Sequence, residues 1–138
     1  MTDNDWKILA RHGVTPDNLT VAGSLDVSDT PISALPDNLT VAKWLAVSRT
    51  PITALPDNLT VSGSLDLHGT AIKPLYVDER NYRLDRAGDH YHAGCRRFTA
   101  AEAIAHWGAP KYPDKARGAA FVAAVLAEEN RRNAVKGS

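Results

Sequence analysis

The chain has little of what usually declares a function class. Cys95 is the single cysteine among 138 residues, which excludes an internal disulfide framework and a cysteine-only zinc site. No run approaches the roughly 18 consecutive apolar residues of a membrane span, and the opening MTDNDWKILARHG lacks the apolar stretch of a secretory signal. A cytoplasmic location is the expectation that follows, with no role for a membrane. Neither charge sign is in excess: 16 Lys and Arg face 16 Asp and Glu, which argues against a polyanion mimic and against a strongly basic nucleic-acid binder. Neither a GxxxxGK phosphate loop nor a GxGxxG fingerprint occurs, and no cofactor is expected.

What is present is a repeat. PDNLTVAGSLDVSDTPISAL (residues 16–35), PDNLTVAKWLAVSRTPITAL (36–55) and PDNLTVSGSLDLHGTAIKPL (56–75) follow one another with a period of 20 and no insertion. The second copy matches the first at 15 of 20 positions and the third matches it at 13. Apolar residues recur in step: Leu19, Val21, Leu25, Val27, Ile32 and Leu35 in the first copy, with counterparts 20 and 40 residues on. Leu-x-Val alternation marks a strand with one buried face, and the Thr-Pro-Ile and Leu-Pro-Asp-Asn stretches favour extended or turning backbone over helix. A 20-residue unit cannot bury such a face alone, whereas stacked copies can.

The spacing Leu25-x-Val27-x-x-Thr30-x-Ile32-x-x-Leu35-Pro36-x-x-Leu39 resembles the short bacterial leucine-rich repeat over residues 16–75. The resemblance implies a β-solenoid with that family's cross-section. That family has Asn where Thr30, Thr50 and Thr70 stand, and a threonine hydroxyl offers a similar hydrogen bond to the turn backbone. A second short strand per copy is expected at Leu19-x-Val21.

The flanks read differently. Residues 5–12 suggest a short helix ended by Gly13, with Trp6 and Leu9 on one face able to cover the first copy. After Tyr76, residues 81–86 and 90–93 suggest a hairpin around Gly88. Thr99-Ala100-Ala101-Glu102 has capping-box spacing for a helix from about Ala100 to Trp107, stopped at Gly108. A last helix, about Asp114 to Ala134, carries Phe121, Val122, Val125 and Leu126 at helical spacing. The expected organisation is an α+β chain: a capping helix (1–15), a three-coil solenoid (16–75), and a hairpin with two helices (76–138). The stretch from His92 through Gly94, Cys95, Arg96, Arg97 and Phe98 to Ile104 resembles a module at the end of small phage and prophage proteins. That resemblance implies a mobile-element protein acting on a bacterial host component and transfers no catalytic residue.

The copies differ most where the second has Lys43-Trp44 in place of Gly-Ser, Ala46 in place of aspartate, and Arg49 in place of Asp29 and Gly69. Trp44 alternates with the inward Leu45 and Val47, so it points outward, between Ser24 and Ser64. Two readings stand. Trp44, Lys43 and Arg49, with His68 of the next copy, form a protein-binding patch in the manner of an interface hot spot; or Trp44 packs under the C-terminal helices.

Other constellations are weaker. His90, His92, Cys95 and His106 match no defined zinc spacing, so no metal site is expected. Cys95 with His92 could make a thiolate nucleophile in an electropositive setting supplied by Arg96 and Arg97, but Gly-Cys at a strand end reads first as a small buried residue in a tight corner. Cys95 is also followed by Arg96-Arg97 rather than the Cys-x-Asp of repeat-bearing bacterial ubiquitin ligases. No catalytic residue is assigned. Nucleic-acid binding through Arg96, Arg97, Arg117, Arg131 and Arg132 is the alternative: residues 76–138 hold eleven basic and eight acidic side chains, against five and eight in residues 1–75. The leading expectation is a non-enzymatic protein-interaction module, an inhibitor or adaptor acting on a bacterial host complex such as a defence system. Self-association through the ends of the stack is also open.

Overall fold

A repeat that presents Leu-x-Val once every 20 residues can bury those side chains only if each copy lies beside the next in register. The computed structural model, which describes residues 1–94 and 96–136 with side chains through Ala134, has that register. Strands β1 (Thr20–Val21), β3 (Thr40–Val41) and β5 (Thr60–Val61) form one parallel three-stranded sheet. Strands β2 (Leu25–Asp26), β4 (Leu45–Ala46) and β6 (Leu65–Asp66) form a second. Every pairing joins residues 20 apart, as in Thr20 with Thr40 and Leu45 with Leu65.

The three copies share one apolar cluster, in which Leu25, Val27, Ile32, Leu39, Leu45, Val47, Ile52 and Leu59 are fully buried. Thr30, Thr50 and Thr70 each donate their hydroxyl to the carbonyl three residues earlier, at 2.6, 2.7 and 2.7 Å. The turn-bracing bond expected of threonine is therefore present in all three copies.

Helix α1 (Asp3–Ala10) closes the first copy. It begins two residues earlier than its sequence suggests because Thr2 and Asp5 form a reciprocal capping box. Ile8 and Leu9 are buried in the repeat cluster and Trp6 packs against it. Asp5 is buried too, accepting hydrogen bonds from the Ser33 amide and hydroxyl, both at 2.8 Å. Burial pushes its carboxyl up, but these bonds and those from Thr2 outweigh it and hold the carboxyl below the usual range.

The C-terminal part departs from the expected hairpin. Strands β7 (Tyr76–Val77), β8 (Arg83–Ala87), β9 (His90–Ala93) and β10 (Arg96–Thr99) make a four-stranded antiparallel sheet in the order β10-β9-β8-β7. Strand β7 is two residues long and β10 carries two arginines, so neither shows an apolar alternation. Helix α2 (Ala100–Trp107) has the capping box of Thr99 and Glu102, and α3 spans Lys115–Lys136. Gly108 follows α2 in a right-handed conformation, so it is not a left-handed stop. Space is what calls for glycine there, since a Cβ would lie 2.6 Å from the Ile104 carbonyl oxygen.

The face that α3 buries runs through Gly118, Phe121, Val125 and Glu128, leaving Leu126 exposed. A second apolar cluster gathers Leu84, Tyr91, Trp107, Phe121 and Val125. Phe121 is stacked on by Tyr82 and met edge-on by Trp107, with ring centroids 5.6 and 4.9 Å away. Together the described residues give a mixed α+β fold with three helices, two parallel sheets and one antiparallel sheet.

Several contacts tie the C-terminal sheet to the repeats: Ala87 is buried in the repeat cluster and Arg83 donates to the Ile72 carbonyl at 2.9 Å. Gly88, at φ +60°, packs so closely on the third copy that a Cβ would fall 2.4 Å from the Leu59 carbonyl oxygen. Arg86 donates to Glu128 of α3 at 2.7 Å, to the Gly88 carbonyl at 2.6 Å and to Asp57 of the third copy at 3.0 Å. The Arg86 and Glu128 side chains are only 9% and 8% exposed. Breaking a buried pair costs about 3–5 kcal/mol, and because Glu128 would keep the half-exposed Arg131 the loss here falls at the lower end of that range. Arg86→Ala is therefore expected to lower unfolding free energy in urea by about that amount, with Arg49→Ala, whose pair is exposed, close to wild type. A loss under about 1 kcal/mol for Arg86→Ala would mean that the node does not hold the two parts together.

Candidate interaction cleft

The outer face of the β2-β4-β6 sheet carries the departures of the second copy. The parallel register aligns Ser24, Trp44 and Ser64 in one row and Asp26, Ala46 and Asp66 in the next. Trp44 is 45% exposed and belongs to neither apolar cluster, so it does not pack under the C-terminal helices. Its amide lies 3.3 Å from the Ser24 hydroxyl, and its carbonyl accepts from Leu25. The indole walls a cleft of about 440 Å³, bordered by Ala46, Asp26, Asp66, Ser48, Asp29 and Arg49 among others. Ala46 is buried, giving the cleft an apolar floor.

Arg49 is not the free cation that the sequence suggested. Its guanidinium makes a bidentate pair with Asp29 one copy back, at 2.5 and 2.8 Å. That pairing holds the Asp29 carboxyl below its usual range and raises Arg49, with Asp66 and Asp26 adding to the effect. Asp26 and Asp66 have no ion-pair partner among the described residues, so the cleft is net acidic. Asp29, Arg49 and Gly69 occupy the same position in successive copies and all three are left-handed, at φ 59°, 55° and 72°.

Lys43 is exposed but does not border the cleft. Its backbone is held between glycines: its amide donates to Gly23 at 3.0 Å and its carbonyl accepts from Gly63 at 2.8 Å. A Cβ on Gly63 would meet that carbonyl oxygen at 2.7 Å, and one on Gly69 would meet Arg49 Cγ at 3.0 Å. His68 is exposed and lines a different groove, on the far side of β6. Of the four residues expected to form one patch, Trp44 and Arg49 share the cleft, and Lys43 and His68 lie outside it.

The arginines considered for nucleic acid are mostly engaged within the chain. Arg117 pairs with Asp78 at 2.7 Å and lies 4.4 Å over the Tyr82 ring. Arg131 pairs with Glu128, and Arg132 with Asp89 and Glu129, at 2.6–2.9 Å. Arg97 reaches His90 Nδ1 at 3.2 Å. Arg96 is exposed and has no ion pair among the described residues.

The histidines do not assemble. His106 stacks on Phe98, and no group of three His, Cys, Asp or Glu suited to a metal occurs among the described residues. Cys95 lies outside the described residues. His92 is only 3% exposed, yet neither ring nitrogen has a hydrogen-bond partner. The nearby Gly63 carbonyl raises its pKa a little without meeting hydrogen-bond geometry. Burial, with Arg97 and His90 alongside, pushes its pKa down to about 4. Such a buried neutral imidazole was not legible in the sequence, because its environment depends on how the C-terminal sheet sits against the third copy.

Comparison with protein-family models, curated proteins and solved structures finds no match for the chain. No helix among the described residues is long and apolar enough to cross a membrane.

His92 makes a pH prediction. A depressed pKa means that the unfolded chain, titrating near 6.5, takes up a proton that the folded one refuses, so stability present above about pH 6.5 is lost as pH falls toward 4. Urea titrations should show a loss of about 2 kcal/mol between pH 7 and pH 5. His92→Gln should make that profile shallower, with the remaining slope coming from His90 and His106, whose pKa values are also lowered by burial, and an equal slope in the variant would assign the loss elsewhere.

Proposed function

We propose that the chain is a non-enzymatic protein-interaction module whose three copies build a short leucine-rich-repeat-like β-solenoid and whose binding surface is the Trp44 cleft. The observation that carries this reading is a half-exposed indole beside an apolar floor and two carboxylates without ion-pair partners. The cleft suits a lysine or arginine side chain of a partner: the cation sits over the indole face, its stem covers Ala46, and Asp26 or Asp66 takes the charge. The partner surface is therefore basic, the reverse of what a free Lys43 and Arg49 would select.

The resemblance of residues 92–104 to the terminal module of small phage and prophage proteins supports an inhibitor or adaptor acting on a bacterial host complex. The nucleic-acid alternative has less support, since four of its five arginines are engaged inside the chain and Arg96 alone of them has no intramolecular partner among the described residues. A gel-shift titration at low and moderate salt addresses it, and salt-sensitive retardation of DNA or RNA would favour it over the present reading.

Affinity purification from bacterial lysate, with wild type and Trp44→Ser side by side, tests the cleft. The expected result is a defined partner whose recovery falls at least about tenfold with Trp44→Ser at unchanged melting temperature, as for truncation of an interface hot spot. Equal recovery by the variant would remove the cleft as the binding surface.

A further inference from the structure

Strand β6 has one edge paired with β4 and one edge bare. In the earlier copies the corresponding amides are all used. Leu25, Val27 and Asp29 donate to the carbonyls of Trp44, Ala46 and Ser48, and Leu45, Val47 and Arg49 donate to those of Ser64, Asp66 and His68, at 2.9–3.0 Å. The equivalent amides of Leu65, Leu67 and Gly69 have no acceptor among the described residues. These three residues border an open groove of about 610 Å³ between β6 and the C-terminal sheet. His92, buried and with both ring nitrogens unpartnered, lines the same groove. Backbone donors aligned along a strand edge are a template for another strand, and an unpaired buried imidazole beside them adds a second unfilled polar site.

We propose that this groove binds an extended peptide of another protein, added parallel to β6 as a further strand, with the pattern apolar, basic, apolar. Donors at alternate residues can serve a strand of either direction, and the parallel sense is taken from the two preceding pairings of the same sheet, which it continues. The first apolar side chain lies over Leu65, which is half-buried, as Leu45 does in the preceding pair, and the second meets the rim of Leu67, which the chain already buries. The central residue stands opposite Asp66, as Ala46 does on the other side. Asp66 has no ion-pair partner among the described residues, so a lysine or arginine there completes a cross-strand pair.

A second copy of the chain fits poorly. Head-to-tail stacking would set Asp26 opposite Asp66, like charge against like. The companion ladder is also obstructed, because Gly88 of the C-terminal sheet sits against the Leu59 carbonyl.

The probe is a capped heptapeptide, Gly-Ser-Leu-Lys-Val-Ser-Asp, which is the first copy's own strand with lysine at its acidic centre. Titrated into the full chain and followed by NMR, it should slow amide exchange at Leu65, Leu67 and Gly69 at least about tenfold, leaving Val27 and Val47 unchanged. The same residues in reversed order should bind at least about tenfold more weakly. Asp66→Lys should lose the lysine peptide and prefer the one with glutamate at its centre. Three results would overturn the proposal: no protection of these amides at saturation, equal binding of the reversed peptide, or sedimentation showing that self-association protects the same amides. Asp66 borders both the groove and the Trp44 cleft, so the two readings are separated by the amides of Leu65, Leu67 and Gly69, which do not line that cleft, and by Trp44→Ser, which should leave peptide binding in the groove unchanged.

Discussion

The 20-residue period is a hydrogen-bonding constraint before it is a sequence pattern. A two-residue strand is far too short to persist alone. Here each one is held because the next copy places carbonyls in line with its amides, and the apolar residues behind it fall into the same column. An insertion of one residue in any copy would shift that copy's Leu-x-Val pair to the opposite face of its strand. The absence of any insertion across residues 16–75 is what allows strands this short to exist.

The two ends of the stack are treated unlike one another. At the first copy, α1 buries Ile8 and Leu9 on the apolar column and sends Asp5 to the Ser33 amide. At the third copy the covering element is a sheet that, among the described residues, adds only Ala87 to the buried apolar column; its other ties are polar, Arg86 to Asp57 and Arg83 to the Ile72 carbonyl. An apolar lid seals, whereas a polar one held by a few directed bonds covers only where those bonds fall. The sheet meets the third copy along the β5 side, and the β6 side borders open space.

How much of this was legible in the sequence follows from which forces act locally. The register, the inward column, the outward Trp44 and the capping box of Thr99 and Glu102 depend on spacing within one copy or one turn of helix, and spacing is visible in sequence. The box of Thr2 and Asp5 has the same spacing but was passed over, which put the expected start of α1 two residues late. The extent of the antiparallel sheet was not, because β7 is two residues long and β10 is held by pairing with β9 rather than by an apolar pattern of its own. The charge state of the Trp44 surface was misjudged for a related reason. Arg49 and Asp29 hold the same position in adjacent copies, so the register that was legible already implied their pairing; counting cations alone hid it. The burial of His92 depends on docking between two parts of the chain, which no local spacing encodes.

The close approach of Gly63 and Gly69 to the second copy has a consequence for how such an array can grow. Repeats are commonly thought of as interchangeable modules, but here the third copy is shaped to its neighbour: it offers bare backbone where Lys43 and Arg49 press against it. Tandem duplication of the second copy would bring a lysine Cβ against the Lys43 carbonyl, where only a hydrogen fits. The stack therefore has a grammar in which the odd unit must be followed by a glycine-bearing one, and lengthening it by unequal crossing-over is open at some junctions and closed at this one.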